Sequence, residues 1–154
     1  MKDKSELYLN NKKIQFCFKY KFEKEGKNTI NIKFNNNLLK NTNFMFSYCS
    51  SLTCLNLSNF NTKNVNNMSW MFFNCSSLTC LNLFNFNTNN VNDMSGIFYY
   101  CFSLTSLDLS FFNNVNNMNG MFCNCSSLTS LKLSSDFKTN NVNNMNAMFS
   151  IVLL

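Results

Sequence analysis

The residues best equipped for chemistry in this 154-residue chain are its eight cysteines, and their spacing decides what they can do. Cys49, Cys75, Cys101 and Cys125 follow Met45-Phe46, Met71-Phe72, Ile97-Phe98 and Met121-Phe122 at one fixed interval, which places them on an inward stripe as buried, unreactive thiols. Cys54 and Cys80 sit between strand leucines and are expected as neighbours on an exposed face, where oxidation is a hazard outside a reducing compartment. Equivalent Cα atoms of stacked repeats lie about 5 Å apart, inside the disulfide window, so distance alone leaves pairing open. Zinc is poorly served, because there is no C-x-x-C and Cys123-Asn124-Cys125 is too short to chelate. No metal and no cofactor is expected.

Catalysis finds little more to work with. The chain has no histidine, so Ser-His-Asp and Cys-His nucleophile pairs and imidazole metal ligands are all excluded. After residue 41 only Lys63, Lys132 and Lys138 face Asp93, Asp108 and Asp136, too few titratable groups to converge on a substrate. Asp108 and Lys132 occupy equivalent positions in neighbouring repeats, and the spacing predicts a cross-strand ion pair rather than an active pair. The chain is expected not to be an enzyme.

The formal charge of +6 suggests a nucleic-acid partner until it is placed along the chain. Ten lysines against four acids within residues 1–41 account for all of it, and the remainder is neutral. All thirteen basic residues are lysine, with no basic stripe of arginine forks to follow a phosphate backbone, so nucleic-acid binding is not expected. Met1 to Lys13 lacks the apolar stretch of a secretory signal, which argues against export of the chain as written. No run approaches the length of a membrane span, so none is predicted.

What must position these residues is an internal repeat. The same landmarks recur as Cys49, Cys75, Cys101 and Cys125, as Leu55, Leu81, Leu107 and Leu131, and as Val65, Val91, Val115 and Val142. Cysteine steps of 26, 26 and 24 confine the length change to Ser110–Asn114, which identifies a loop. Leu52, Leu55 and Leu57 form L-x-x-L-x-L, whose last three residues alternate and predict a short strand with Asn56 outward. Val65, Met68, Met71, Phe72 and Cys75 follow at helical spacing, and Asn61-Thr62 offers N-cap oxygens, which predicts a short helix or helical turn. Phe60, Phe86, Phe112 and Phe137 should fill the turn between them. One block buries too few apolar side chains to offset the entropy of its own ordering. Blocks must therefore stack, leucine on leucine, as a right-handed α/β solenoid with a continuous parallel sheet.

With these residues identified, the chain resembles the leucine-rich repeats of the BspA-like surface-protein family. The pattern is carried by Leu104-Thr-Ser-Leu107-Asp-Leu109-Ser, by Phe60-Asn-Thr with Val65 and Met68, and by Met121-Phe122 with Cys125-Ser-Ser. The match runs over residues 42 to 150. The resemblance implies a leucine-rich-repeat solenoid in proteins that often serve as cell-surface adhesins, whereas the missing signal segment points to the cytoplasm. Phenylalanine stands where ordinary leucine-rich repeats carry an asparagine ladder, so aromatic stacking is expected to replace those hydrogen bonds.

Residues 1–41 lack the full repeat. Ile14, Phe16, Phe18, Tyr20 and Phe22 alternate with polar residues, Gly26 interrupts, and Ile30, Ile32 and Phe34 alternate again, which predicts a hairpin. Phe34 and Leu39 match the positions of Phe60 and Val65, so the second strand is read as part of a degenerate first coil within an N-terminal cap. The solenoid proper is assigned to residues 42–154. Its carboxyl end shows no cap and is expected to be truncated or open to self-association.

Binding is the remaining expectation: a non-catalytic recognition or adhesion module for a protein or glycan. The alternatives are an intracellular interaction scaffold and a structural repeat fragment without a specific ligand. The expected face is the strand surface, whose outward columns include Ser106 and Ser130 beside Cys54 and Cys80. Asn56, Asn82, Asp108 and Lys132 form the next column, and Ser58, Phe84, Ser110 and Ser134 the last. Phe84 is read as an exposed aromatic anchor, and Trp70, which stands where other blocks carry Gly96, Gly120 and Ala147, as a packing or surface variation.

Overall fold

A computed structural model describes residues 6–9, 12–14, 30–33 and 39–151, apart from Phe111, Asn114, Asp136 and Lys138. The chain divides into two compact units, Met1–Leu38 and Leu39–Leu154.

The first unit contains a three-stranded antiparallel sheet of β1 (Glu6–Leu9), β2 (Lys12–Ile14) and β3 (Ile30–Lys33), in the order β2-β1-β3. The alternating stretch from Phe16 to Phe22 lies outside the described residues, while β1, which sequence reasoning left unassigned, takes the centre of the sheet. Leu9 pairs with Lys12 on one side and with Ile30 on the other. Strand β3 is antiparallel to β1; Phe34, on which the reading of a degenerate first coil rests, lies outside the described residues.

The second unit is a parallel stack of repeat blocks. On the leucine side β4 (Cys54–Asn56) pairs with β5 (Cys80–Asn82), and β6 (Ser106–Leu109) with β7 (Ser130–Leu133). The register sets Leu55 on Leu81 and Leu107 on Leu131, so like residues lie side by side. The ladder is interrupted between β5 and β6, giving two two-stranded sheets instead of the single continuous sheet expected.

The continuous ladder lies on the other side of each block. Parallel bridges run without a break through Asn41, Asn67, Asp93, Asn117 and Asn144. From each bridge onward, every second N–H donates to the next block. Met68, Trp70, Phe72 and Asn74 donate to the carbonyls of Asp93, Ser95, Ile97 and Tyr99, and the same four bonds recur at each of the other three junctions. The intervening N–H groups close turns onto the residue three before, as in Met71 to Met68, Phe73 to Trp70 and Cys75 to Phe72.

Of the short helix or helical turn expected, this pattern leaves only turns. No α-helix occurs among the described residues, because half of the N–H groups that a helix needs are bonded to the neighbouring block. Two residues per block also enter the left-handed region, Trp70 (φ 57°) and Asn74 (φ 56°) in the second, which a helix forbids. The apolar stripe itself is buried as its spacing requires: Val65, Met68, Met71, Phe72 and Cys75 are fully inaccessible. Spacing of three suits successive turns as well as a helix.

The proposed N-cap residues do other work. The Asn61 Oδ1 accepts the Lys63 N–H within an Asx-turn. The buried Thr62 hydroxyl donates to the Asn87 carbonyl and accepts the Asn87 N–H, and Thr88 repeats this with Asn113 at 3.0 and 2.7 Å. A Thr88→Val substitution should cost about 2 kcal/mol or more, since it leaves both Asn113 backbone groups without this partner, and urea denaturation would measure it.

Asx-turns explain the asparagine content. The side-chain oxygens of Asn41, Asn67, Asp93, Asn117 and Asn144 each accept the N–H two residues on, as do Asn56, Asn82 and Asp108 at the ends of the strands. These corners close without proline and with only three glycines in the chain.

Aromatic stacking runs through the core. Phe46, Phe72, Phe98, Phe122 and Phe149 form one column with centroid spacings of 5.7, 5.7, 5.7 and 5.3 Å and nearly parallel planes. Phe60 and Phe86 meet tilted at 5.9 Å, with Phe60, Phe86 and Phe112 buried as turn fillers and Phe137 only half-buried.

Candidate functional site

The strand face carries the residues singled out by sequence. Cys54, Asn56, Cys80, Asn82, Ser106, Asp108, Ser130 and Lys132 are exposed, while Leu57, Leu83 and Leu109 point into the core. Ser58, Ser110 and Ser134 are half-buried beside them, and Phe84 is 60% exposed. Each column therefore places one side chain per block along the stack.

Two links tie adjacent strands together. Cys54 and Cys80 form a disulfide across β4 and β5, with Cα atoms 4.7 Å apart. Lys132 Nζ donates to Asp108 Oδ2 at 2.9 Å between β6 and β7. Hydrogen bonds from the Ser110 hydroxyl and N–H, then from Lys132, hold the Asp108 carboxyl down at about 2. The folded value lies below the unfolded one, so the associated stability is present above about pH 4 and is lost as pH falls toward 2. The pair is exposed, so its contribution is below about 1 kcal/mol. Asp108→Asn should shift the urea midpoint at pH 7 only slightly, because asparagine preserves the Oδ1 acceptor, as Asn56 and Asn82 show.

The inward cysteines form a ladder of their own. The thiols of Cys75, Cys101 and Cys125 donate to the carbonyls of Phe46, Phe72 and Phe98 in the preceding block, at 3.0, 3.2 and 3.0 Å. Burial pushes the Cys101 thiol upward and raises Cys125 to about 12, while its hydrogen bond with Cys49 and burial push Cys75 upward. Their stabilising effect is complete below the ordinary thiol value near 9 and is lost as pH rises past it, where only unfolded thiols ionise. Cys49 departs from the buried thiol expected at its position: it is half-exposed, and the neighbouring Cys75 side chain lowers it to about 7. Alkylation at pH 7.5 followed by peptide mapping should therefore label Cys49 well before Cys75, Cys101 or Cys125; equal rates would refute the ladder. Among the described residues no cluster of three or more potential metal ligands occurs.

A second surface was touched by sequence reasoning only at Trp70, read as a packing or surface variation. On the turn segments, Phe44 stacks on Trp70 at 6.2 Å and Trp70 meets Tyr99 at 5.5 Å. Beside that row, Tyr48 packs edge-on against Phe73 at 4.9 Å, Phe73 meets Tyr100 at 6.0 Å, and Tyr100 stacks on Phe102 at 5.4 Å. Phe44, Tyr48 and Phe102 are 48%, 65% and 41% exposed. Trp70 lies over Gly96, and Tyr99 lies over Gly120, so each ring covers a glycine of the following block. The Cys123 side chain, hydrogen-bonded to Tyr99, holds its phenol up at about 12. Only the absence of a side chain at Gly96 and Gly120 signalled these ring positions.

In-register blocks with hydrogen-bonded, aromatic and thiol columns define a stacked tandem-repeat protein. Over residues 13–130 and again over 105–152 the chain matches the family described as "Mycoplasma protein of unknown function, DUF285", and it belongs to that family. The match supports a BspA-family relationship at this coarse level. No curated protein and no solved structure gave a match.

Proposed function

We propose that the stack is a leucine-rich-repeat solenoid acting as a non-catalytic recognition or adhesion module, which binds a protein or glycan through its strand face. The supporting observation is the exposed set of one-per-block columns on paired strands, where Phe84 offers an apolar contact among Asn82, Ser58 and Ser110. Such a surface acts by shape and hydrogen bonding, since the ion pair between Asp108 and Lys132 is internally neutralised.

The test is a binding screen of the immobilised protein against extracellular-matrix proteins and a glycan array, repeated with Phe84→Ala. A tenfold or greater loss with unchanged thermal unfolding supports the strand face. Binding unaltered by Phe84→Ala and by Lys132→Ser removes it.

Self-association is a second reading, favoured by Leu133, Met145, Phe149 and Ile151, which are 41 to 67% exposed in the last described block. Sedimentation velocity should show concentration-dependent oligomers that Phe149→Lys abolishes; a monomer at all concentrations refutes it.

A further inference from the structure

The inward cysteine stripe ends differently from how it runs. Cys75, Cys101 and Cys125 are fully inaccessible, whereas Cys49, in the first block, is half-exposed. At the first junction the Cys75 thiol donates to the Phe46 carbonyl at 3.0 Å, and the Cys49 N–H donates to the same oxygen at 3.3 Å. One acceptor thus gathers both residues. The register around them is fixed from two sides, by the Tyr48 N–H on the Phe73 carbonyl at 2.7 Å and by the pairing of Cys54 with Cys80. Cys49 and Cys75 are separated by the same 26-residue step as Cys54 and Cys80, whose Cα atoms lie 4.7 Å apart and whose sulfurs are bonded. The Cys49 and Cys75 side chains are within hydrogen-bonding reach of each other.

Thiol–disulfide exchange asks different things of two such sulfurs. The attacking one must be accessible and ionised, while the resolving one needs only to lie beside it. Cys49 meets the first requirement, because it is half-exposed and its thiol is held down at about 7, which leaves about half of it ionised at neutral pH. Cys75 meets the second. Its contact with Cys49 and its burial keep it protonated, so Cys49 is the sulfur that attacks first. Cys101 and Cys125 meet neither requirement, since both are fully buried, one and two blocks further along the stack.

We propose that Cys49 and Cys75 are a redox-active thiol pair, which a small disulfide of the glutathione class converts into a second covalent clamp between the first two blocks. The Cys49 thiolate attacks one sulfur of the oxidant, forming a mixed disulfide and releasing one small thiolate. That thiolate takes the Cys75 proton. The Cys75 sulfur then attacks the Cys49 sulfur and expels the other half of the oxidant, which picks up the proton that Cys49 had lost to water. Two protein thiols are thereby oxidised to one disulfide, and one small disulfide is reduced to two thiols. The strand side already carries the Cys54–Cys80 bond, so oxidation ties the same two blocks at a second point. The pair rests on neither reading of the binding surface.

Methionine placement makes the link easy to read, because cyanogen bromide releases Cys49 and Cys54 in fragment 46–68 and Cys75 and Cys80 in fragment 72–94. In a chain carrying Cys54→Ser and Cys80→Ser each fragment keeps a single cysteine. That protein is incubated with oxidised glutathione at pH 7.5, quenched in acid, cleaved and weighed by mass spectrometry without reduction. Fragment 46–68 joined to fragment 72–94 is expected, and dithiothreitol should separate them. A lasting glutathione adduct on Cys49, a link from Cys49 to any other fragment, or unmodified thiols overturns the proposal. Should the double variant lose its native circular dichroism, thiol counting on the wild type decides: oxidised glutathione should remove two more thiols from it than from Cys49→Ser, and an equal loss overturns the pair. Oxidation should also slow hydrogen exchange at the Phe46 and Tyr48 amides, which donate to the second block, by tenfold or more. Unchanged exchange in the oxidised protein overturns the clamp.

Discussion

Phe98→Ala should lower the stability of the stack by about 3–5 kcal/mol. The ring is fully buried and lies parallel between Phe72 and Phe122, with both centroids 5.7 Å away and interplanar angles of 1° and 9°. Removing it empties a ring-sized volume and ends two stacking contacts at once, one on each side of the block. Because the stability of stacked repeats resides in their nearest-neighbour interfaces, a lesion in the middle weakens two of them. Phe149→Ala offers the contrast. That ring has one stacking partner, Phe122, and is 41% exposed, so its loss should cost less than half as much. Urea unfolding followed by circular dichroism measures both, and equal losses would show that the column is not a continuous source of cohesion. Since domains as a class hold about 5–15 kcal/mol in reserve, Phe98→Ala should also raise the unfolded population at growth temperature.

Gly96→Ala should be the second most damaging substitution, at about 2–4 kcal/mol, and its cause is a neighbour rather than the backbone alone. Gly96 has φ +59°, where an added Cβ costs roughly 1–2 kcal/mol. Ala147 and Trp70 nevertheless occupy the equivalent positions at 52° and 57°, so the conformation by itself is tolerated. The greater obstacle is the Trp70 indole, whose six-membered ring lies where the new methyl group would stand. Backbone and ring must shift together, which loosens the contacts of Trp70 with Phe44, Phe73 and Tyr99. Gly120→Ala makes a milder test, because its Cβ would meet the Tyr99 ring at 3.1 Å, a contact relieved by a small movement. Thermal unfolding should therefore rank Gly96→Ala well below Gly120→Ala. In a Trp70→Ala background the cost of Gly96→Ala should fall to that of the backbone conformation alone; the same cost with and without the indole would refute the steric account.

Much of the repeat was legible because the sequence writes its side-chain columns directly. Leu55, Leu81, Leu107 and Leu131 share one landmark, and the structure pairs them as Leu55 with Leu81 and Leu107 with Leu131. The facing of Asp108 and Lys132 followed from the same arithmetic, and so did the adjacency of Cys54 and Cys80. Burial of Cys75, Cys101 and Cys125 was legible because a period of three on an apolar stripe marks an interior face whatever backbone carries it. The choice between a helix and a turn was left open for that same reason. Residues three apart align on a helix and on a run of turns alike, and the difference lies in whether an N–H finds its acceptor four residues back or in another block.

By itself, then, the sequence determined the block length, the identity of the inward side chains and the register of like residues, since these follow from periodicity and from the apolar surface that must leave water. Tertiary structure decided the rest. Only the neighbouring block supplies the carbonyls that convert the apolar stripe from a helix to turns, and only its approach brings Trp70 over Gly96 and Tyr99 over Gly120. The antiparallel position of β1 and the ring contacts along the turns belong to the same category. Each depends on groups distant in sequence, whose meeting no local pattern records.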